Sequence, residues 1–156
     1  MTARTMASAP VLPYVDEHSV QVRAPRDRVW HALDDYVHGS VGISDRHPLG
    51  PVLGTRPRSG FAVAATVPGE QVTLEGRHRF SVYRLVFDVA DGPSPGMTTL
   101  RATTLAAFPG PHGRAYRLLV ISSRAHVVAT TRMLRVVARR AEAAGAGGAG
   151  VPGQDG

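Results

Sequence analysis

Val20 to Trp30 reads VQVRAPRDRVW, and a change of period inside it decides the fold. Before it, YVDEHSVQVR (Tyr14–Arg23) alternates as a strand does, with His18, Val20 and Val22 on one face. After Ala24 the period lengthens. Pro25 suits a first helical position, where its missing N–H leaves no bond unmade, and Asp27 lies at the positive end of the helix dipole. Trp30, Leu33 and Val37 then recur at i, i+3 and i+7, which predicts a short amphipathic helix burying that stripe. A strand that runs through Ala-Pro straight into a short helix opens an α+β domain.

The rest of the chain fills in that plan. Residues 39–60, rich in Gly, Pro, Ser and Arg, read as loops with one short strand near Val52. Three β segments follow: FAVAATV (61–67), QVTLEGRHRFSVYRLVFDVA (71–90, bending near Gly76) and MTTLRATTLAAF (97–108). Tyr83, Leu85, Phe87 and Val89 share a face in the second, as Leu100, Ala102, Thr104, Ala106 and Phe108 do in the third. DGPSPG (91–96) is a turn between them. From Pro111 to Ala144 the pattern predicts one long helix, about 50 Å at the usual rise per residue. The order is strand, short helix, several antiparallel strands and a long C-terminal helix, so one sheet wraps one helix. Residues 1–13 and 143–156 are small, Pro- or Gly-rich and aperiodic. They read as a disordered N-terminal arm and a disordered Gly/Ala-rich tail around one domain at 14–142.

Composition excludes more than it assigns. Cysteine is absent, which removes disulfides, thiolate metal sites and cysteine nucleophiles. The first residues lack the apolar core of a signal peptide and no run is long enough to span a bilayer, so the expected location is cytoplasmic. The glycines of GAGGAGVPGQDG have no strand before them and no helix after, so no dinucleotide loop is expected. All 18 basic residues are Arg. Residues 1–91 balance ten Arg against ten acids, whereas 92–141 carry eight Arg and no acid. The positive excess therefore falls on the last strand and the long helix.

Ala24, Pro25, Val29 and Trp30 match an Ala-Pro-x-x-x-Val-Trp helix start, and with the element order this resembles the START-like superfamily, also called Bet v 1-like or helix-grip. The closing GPHGRAYRLLVISSRAHVVATTRMLR (110–135) is similar to a bacterial branch of it. The likeness covers about residues 14–142. It implies a curved antiparallel sheet gripping the C-terminal helix, with an apolar cavity between them. Lipid carriers, hormone receptors and polyketide cyclases or aromatases share that fold, so the fold leaves function open.

Laid out at about 100° per residue, a continuous helix turns Tyr116, Leu119, Ser123, His126, Thr130, Met133, Leu134 and Val137 toward the sheet. Arg117, Arg124, Arg132, Arg135 and Arg139 fall opposite, as a basic outer face. His126 has two readings. Either it is a core histidine satisfied by Ser123, Thr130, Tyr83 or a backbone carbonyl, or it presents its imidazole to a ligand. A polar group buried there without a partner costs about 1–3 kcal/mol. A serine-hydrolase reading of Ser123 and His126 lacks an acid, since the helix has none before Glu142. His31, Asp35 and His38 lie off the Trp30 stripe and read as a solvated face, and no metal site is assigned.

The expected site is an apolar cavity with a few convergent polar groups. His126, Ser123, Thr130, Tyr83 and Tyr116 supply those groups; Leu119, Met133, Leu85, Phe87 and Phe108 supply wall. Three function classes stay open. The first is a cofactor-free carrier or sensor of a small hydrophobic or amphipathic molecule, lipid- or polyketide-like. The second, implied by the resemblance, is a polyketide cyclase with His126 as its acid–base group. Against it, the sheet-facing positions offer no evident Arg or carboxylate to assist. The third is an interaction module whose basic outer face, with Leu118, Ile121, Val128 and Val136 among the Arg, meets a second copy or an anionic membrane surface. Nucleic acid is disfavoured, because no binding motif or aromatic ladder accompanies the charge.

Overall fold

The computed structural model describes residues 11–41, 61–79, 81–122 and 124–146. Strand β1 (Tyr14–Val22) leads into helix α1 (Arg26–Val41). Strands β2 (Ala62–Val67), β3 (Gln71–His78), β4 (Ser81–Asp91) and β5 (Thr98–Ala107) follow, then helices α2 (Gly110–Ser122) and α3 (Ala125–Ala146). The strands form one antiparallel sheet in the order β1-β5-β4-β3-β2. Strands β2 to β5 meander, and β1 closes the far edge beside β5, so the first strand lies next to the last. Helices α1 and α3 pack on each other and on the sheet. This is the α+β, helix-grip arrangement expected from the element order.

The Ala24-Pro25 corner turns strand into helix. The Pro25 carbonyl accepts from the N–H groups of Arg28 (3.1 Å) and Val29 (3.2 Å), which starts α1. On β5, Thr98 donates its hydroxyl to the Ala24 carbonyl at 2.7 Å, and both residues are buried. Val29, Leu33 and Val37 are the buried stripe of α1, with Trp30 only partly covered. Below them Val22, Val72, Phe87, Val89, Leu100 and Ala102 rise from the sheet, and Leu134, Val137 and Ala141 come down from α3. Each large apolar side chain buried this way contributes about 1.5–3 kcal/mol. Phe87, expected on a cavity wall, belongs to this core instead, because the helices close over its end of the sheet.

Two element boundaries are corrected. Residues 71–90 are not one bent strand: β3 and β4 pair from Gln71↔Asp88 to His78↔Ser81, so the chain reverses beyond Gly76. The register matches Val72 and Leu74 with Phe87 and Leu85 on the buried face. That burial sets the reversal, not a turn motif. Residues 111–144 are not one helix either. Helix α2 ends at Ser122 and α3 begins at Ala125; between them Arg124 has φ +53°, and its carbonyl accepts from the Val128 N–H at 3.1 Å. A side chain in that left-handed conformation costs about 1–2 kcal/mol. A helical wheel carried through the break therefore loses its phase.

DGPSPG forms the turn read from it, with the Gly92 N–H donating to Met97 O at 3.0 Å. A Cβ on Gly92 would come within 2.7 Å of the Met97 carbonyl carbon, so glycine is required there. Helix α3 runs on to Ala146, past the expected boundary at residue 142. The strand near Val52, residues 1–10 of the arm and residues 147–156 of the tail lie outside the described residues. Among the described residues no helix is long and apolar enough to cross a membrane.

Candidate functional site

Past Leu85 the inner face of the sheet changes character. The positions there are Ser81, Thr104 and Ala106, and α3 sets Ala129 and Thr130 against them. Small side chains facing small side chains leave a cavity of about 180 Å³. Val15, Tyr83, Arg84, Leu85, Phe61, Phe108, Met133 and His126 complete its wall. Phe61 and Tyr83 meet edge to face with ring centroids 5.0 Å apart. An apolar cavity of about 150 Å³ is known to hold a benzene ring. A volume of about 180 Å³ is of the size that holds a single ring or a branched alkyl end.

Its polar corner comes from β1. The β1–β5 register shifts between Tyr14 and Asp16, the mark of a bulge. Val15 borders the cavity and the next residue, Asp16, also reaches α3. A regular strand sends consecutive side chains to opposite faces, so the bulge is what makes this convergence. Asp16 Oδ2 lies 2.8 Å from His126 Nε2 and 3.1 Å from His18 Nε2. Against a carboxylate oxygen, each Nε2 is the donor. Asp16 thereby fixes how the His126 ring lies. The Asp16 and His126 side chains are only 20% and 19% exposed.

Thr104 is the direct cross-strand neighbour of Asp16. Asp16 Oδ1 and Thr104 Oγ1 are both buried without a hydrogen-bond partner among the described residues. Thr104 lines this cavity, whereas Asp16 lines the second cavity described below. Among the described residues no group of three or more His, Asp or Glu is arranged to hold a metal. The carboxylate that the sheet-facing positions of the helix do not offer comes from the sheet itself, at Asp16 of β1. Asp16 precedes His18 by two positions on the same alternating face, a signal already present in YVDEHSVQVR.

A second cavity of about 540 Å³ adjoins the first and shares Val15, Ala106, Phe108 and His126 with it. Its remaining wall includes Tyr14, Asp16, Arg114 and Arg117 of α2, and Arg124 at the helix break. Arg117 and Arg124 therefore line a groove and do not continue an outer stripe, because the break at Arg124 resets the helix phase. Arg132, Arg135 and Arg139 are exposed on α3. Tyr83, His126, Thr130, Leu85, Met133 and Phe108 meet at the inner cavity. Ser123 lies outside the described residues, as do the side chains of Tyr116 and Leu119 on α2. His31, Asp35 and His38 are exposed, and His38 Nδ1 bonds the Asp34 carbonyl at 2.9 Å.

No protein-family model matches the chain, and no curated protein matches it by sequence. Among solved structures it is similar to a protein from Thermus thermophilus, at 15% identity over 85% of this chain and 99% of that one, with a TM-score of 0.48. It is also similar to the di-domain ARO/CYC StfQ of the steffimycin biosynthetic pathway, at 14% identity, 84% of this chain, 51% of that chain and a TM-score of 0.49. A third is a norcoclaurine synthase point mutant from Thalictrum flavum in complex with a transition-state analogue. The figures there are 12% identity, 83% of this chain, 96% of that chain and a TM-score of 0.49. The element order and sheet topology are those of a helix-grip fold. At these identities and scores no role passes from those proteins to this chain, and its cavity must be read from its own side chains.

Proposed function

We propose that the protein binds a small hydrophobic or amphipathic molecule between the sheet and α3, as a carrier or sensor. The observation that carries this is the cavity of about 180 Å³, whose largely apolar wall carries a few polar groups: His126, Thr104, Thr130, Ser81, Tyr83 and Arg84. A ligand site has that composition: mostly apolar wall with a few placed polar groups. The buried Oγ1 of Thr104, a residue of the cavity wall, supports it further, since a ligand hydroxyl that reaches it satisfies an atom without a partner among the described residues.

The test uses phenylbutanol, whose ring matches the inner cavity and whose hydroxyl can reach Thr104. Saturable binding is expected by calorimetry, and Ala106→Leu should abolish it by placing three more carbons inside both cavities. Binding that survives Ala106→Leu at full affinity places the molecule elsewhere and overturns the proposal.

The Asp16–His126 pair supports a second reading, an acid–base enzyme acting on a polyketone. Here Asp16 holds the imidazole while His126 exchanges a proton with an enolisable carbon. Deuterium exchange into acetylacetone, faster with the protein than in buffer and lost in His126→Ala, is the expected signature. Equal rates with and without protein remove the enzyme reading and leave the carrier reading standing.

A further inference from the structure

The groove beside the inner cavity carries a charge pattern that apolar binding alone does not need. Arg114 and Arg117 line it from one turn of α2, and Arg124 lines it from the helix break. All three are exposed, and among the described residues no carboxylate pairs with any of them. Asp16 is the acid on that wall, and its Oδ2 is already taken by His126 and His18. The segment from 92 to 141 supplies no other acid. Arg124 adds an independent observation. It holds φ +53°, a conformation that glycine or asparagine adopts at little cost, yet a long cationic side chain stands there and lines the groove. Strain retained at a cavity wall points to a use for the side chain.

We infer that the bound molecule is an amphipathic acid: an apolar body in the inner cavity and an oxyanion head, carboxylate or phosphate, on Arg114, Arg117 and Arg124. Guanidinium forks match both heads with paired N–H donors. His126, shared by the two cavities, stands where body and head join. The inference rests on the cavity reading above and adds the charge of the ligand to it.

Three probes with one body separate the possibilities: phenylbutyrate, phenylbutyl phosphate and phenylbutanol. At least one acid should bind about tenfold more tightly than the alcohol, as a charge-assisted hydrogen bond allows. Which acid gains more identifies the head group. Raising salt from about 0.05 M to about 0.5 M should weaken the acid and leave the alcohol unchanged, because the groove is open to solvent. The double variant Arg114→Gln/Arg117→Gln keeps good helix formers at exposed positions and should erase the preference. Arg124→Asn, which tolerates the left-handed backbone, should do so in part. Alcohol and acids binding equally overturns the inference while the cavity reading stands. So does an equal loss for all three probes in the Arg variants. Failure of all three to bind wild-type protein overturns both.

Discussion

Thr98 and Thr104 stand on the same face of β5, and one isosteric change separates their roles. Thr98 Oγ1 donates to the Ala24 carbonyl at 2.7 Å, with the two residues 0% and 1% exposed. Thr98→Val removes the donor and leaves a buried carbonyl unpaired, which costs about 1–3 kcal/mol. Thr104 Oγ1 is buried and has no partner among the described residues. Thr104→Val therefore loses no bond and exchanges an unpaired polar atom for a methyl, a gain of up to about 1 kcal/mol. The two variants should differ by about 1–4 kcal/mol, with Thr98→Val the less stable. Urea unfolding reads this as midpoints moving apart at an unchanged slope. In the presence of phenylbutanol the order should narrow, because wild-type Thr104 gains a partner that valine cannot offer. If Thr104→Val destabilises the free protein as much as Thr98→Val does, its hydroxyl is already satisfied. The polar floor of the cavity would then be closed to a ligand.

Two further substitutions test the C-terminal helices. Arg124→Gly should leave stability unchanged or raise it by up to about 1 kcal/mol, since glycine relieves the left-handed strain; in an unbroken helix it would cost about 1 kcal/mol. A loss of that size by urea unfolding would mean the helix is continuous. Leu134→Ala, at a wholly buried position on α3, should cost about 2–5 kcal/mol, while Leu118→Ala, at 72% exposure on α2, should stay within about 0.5 kcal/mol. Comparable losses at both positions would contradict the packing of the two helices.

The fold was legible where periodicity is tied to burial. The β1–α1 corner, the shared faces of β4 and β5, and the inward set of Thr130, Met133, Leu134 and Val137 all follow from periods of two and about 3.6. The misread parts arise from geometry that leaves no residue signature. The hairpin between β3 and β4 has no glycine, proline or asparagine at its reversal, so only the pairing reveals it. The helix break occupies an arginine, where the usual marker is glycine. Losing the phase there misplaced Arg117 and Arg124. Asp16 was missed for a different reason. Its alternation was readable, but the bulge that brings it and Val15 together to the helix depends on strand pairing with residues near 104. Phe87 shows the converse: its face was right, and only the position of the covering helices decides that it fills core.

The place of β1 in the sheet has a consequence for the order of assembly. Strands β2 to β5 find their partners as neighbours in sequence, whereas β1 waits for β5, and its Glu17–Thr103 hydrogen bond spans 86 positions. Contacts that distant close late, after the local pairings are in place. Asp16 and His126 come from the opposite ends of that wait, one on the earliest strand and one on the final helix. A molecule bound in the proposed cavity beside this pair would bind only the finished chain and so would draw the folding equilibrium toward closure. Occupancy would then act as a clasp: it would report that β1 and the last described helix have met, and hold them together once they have.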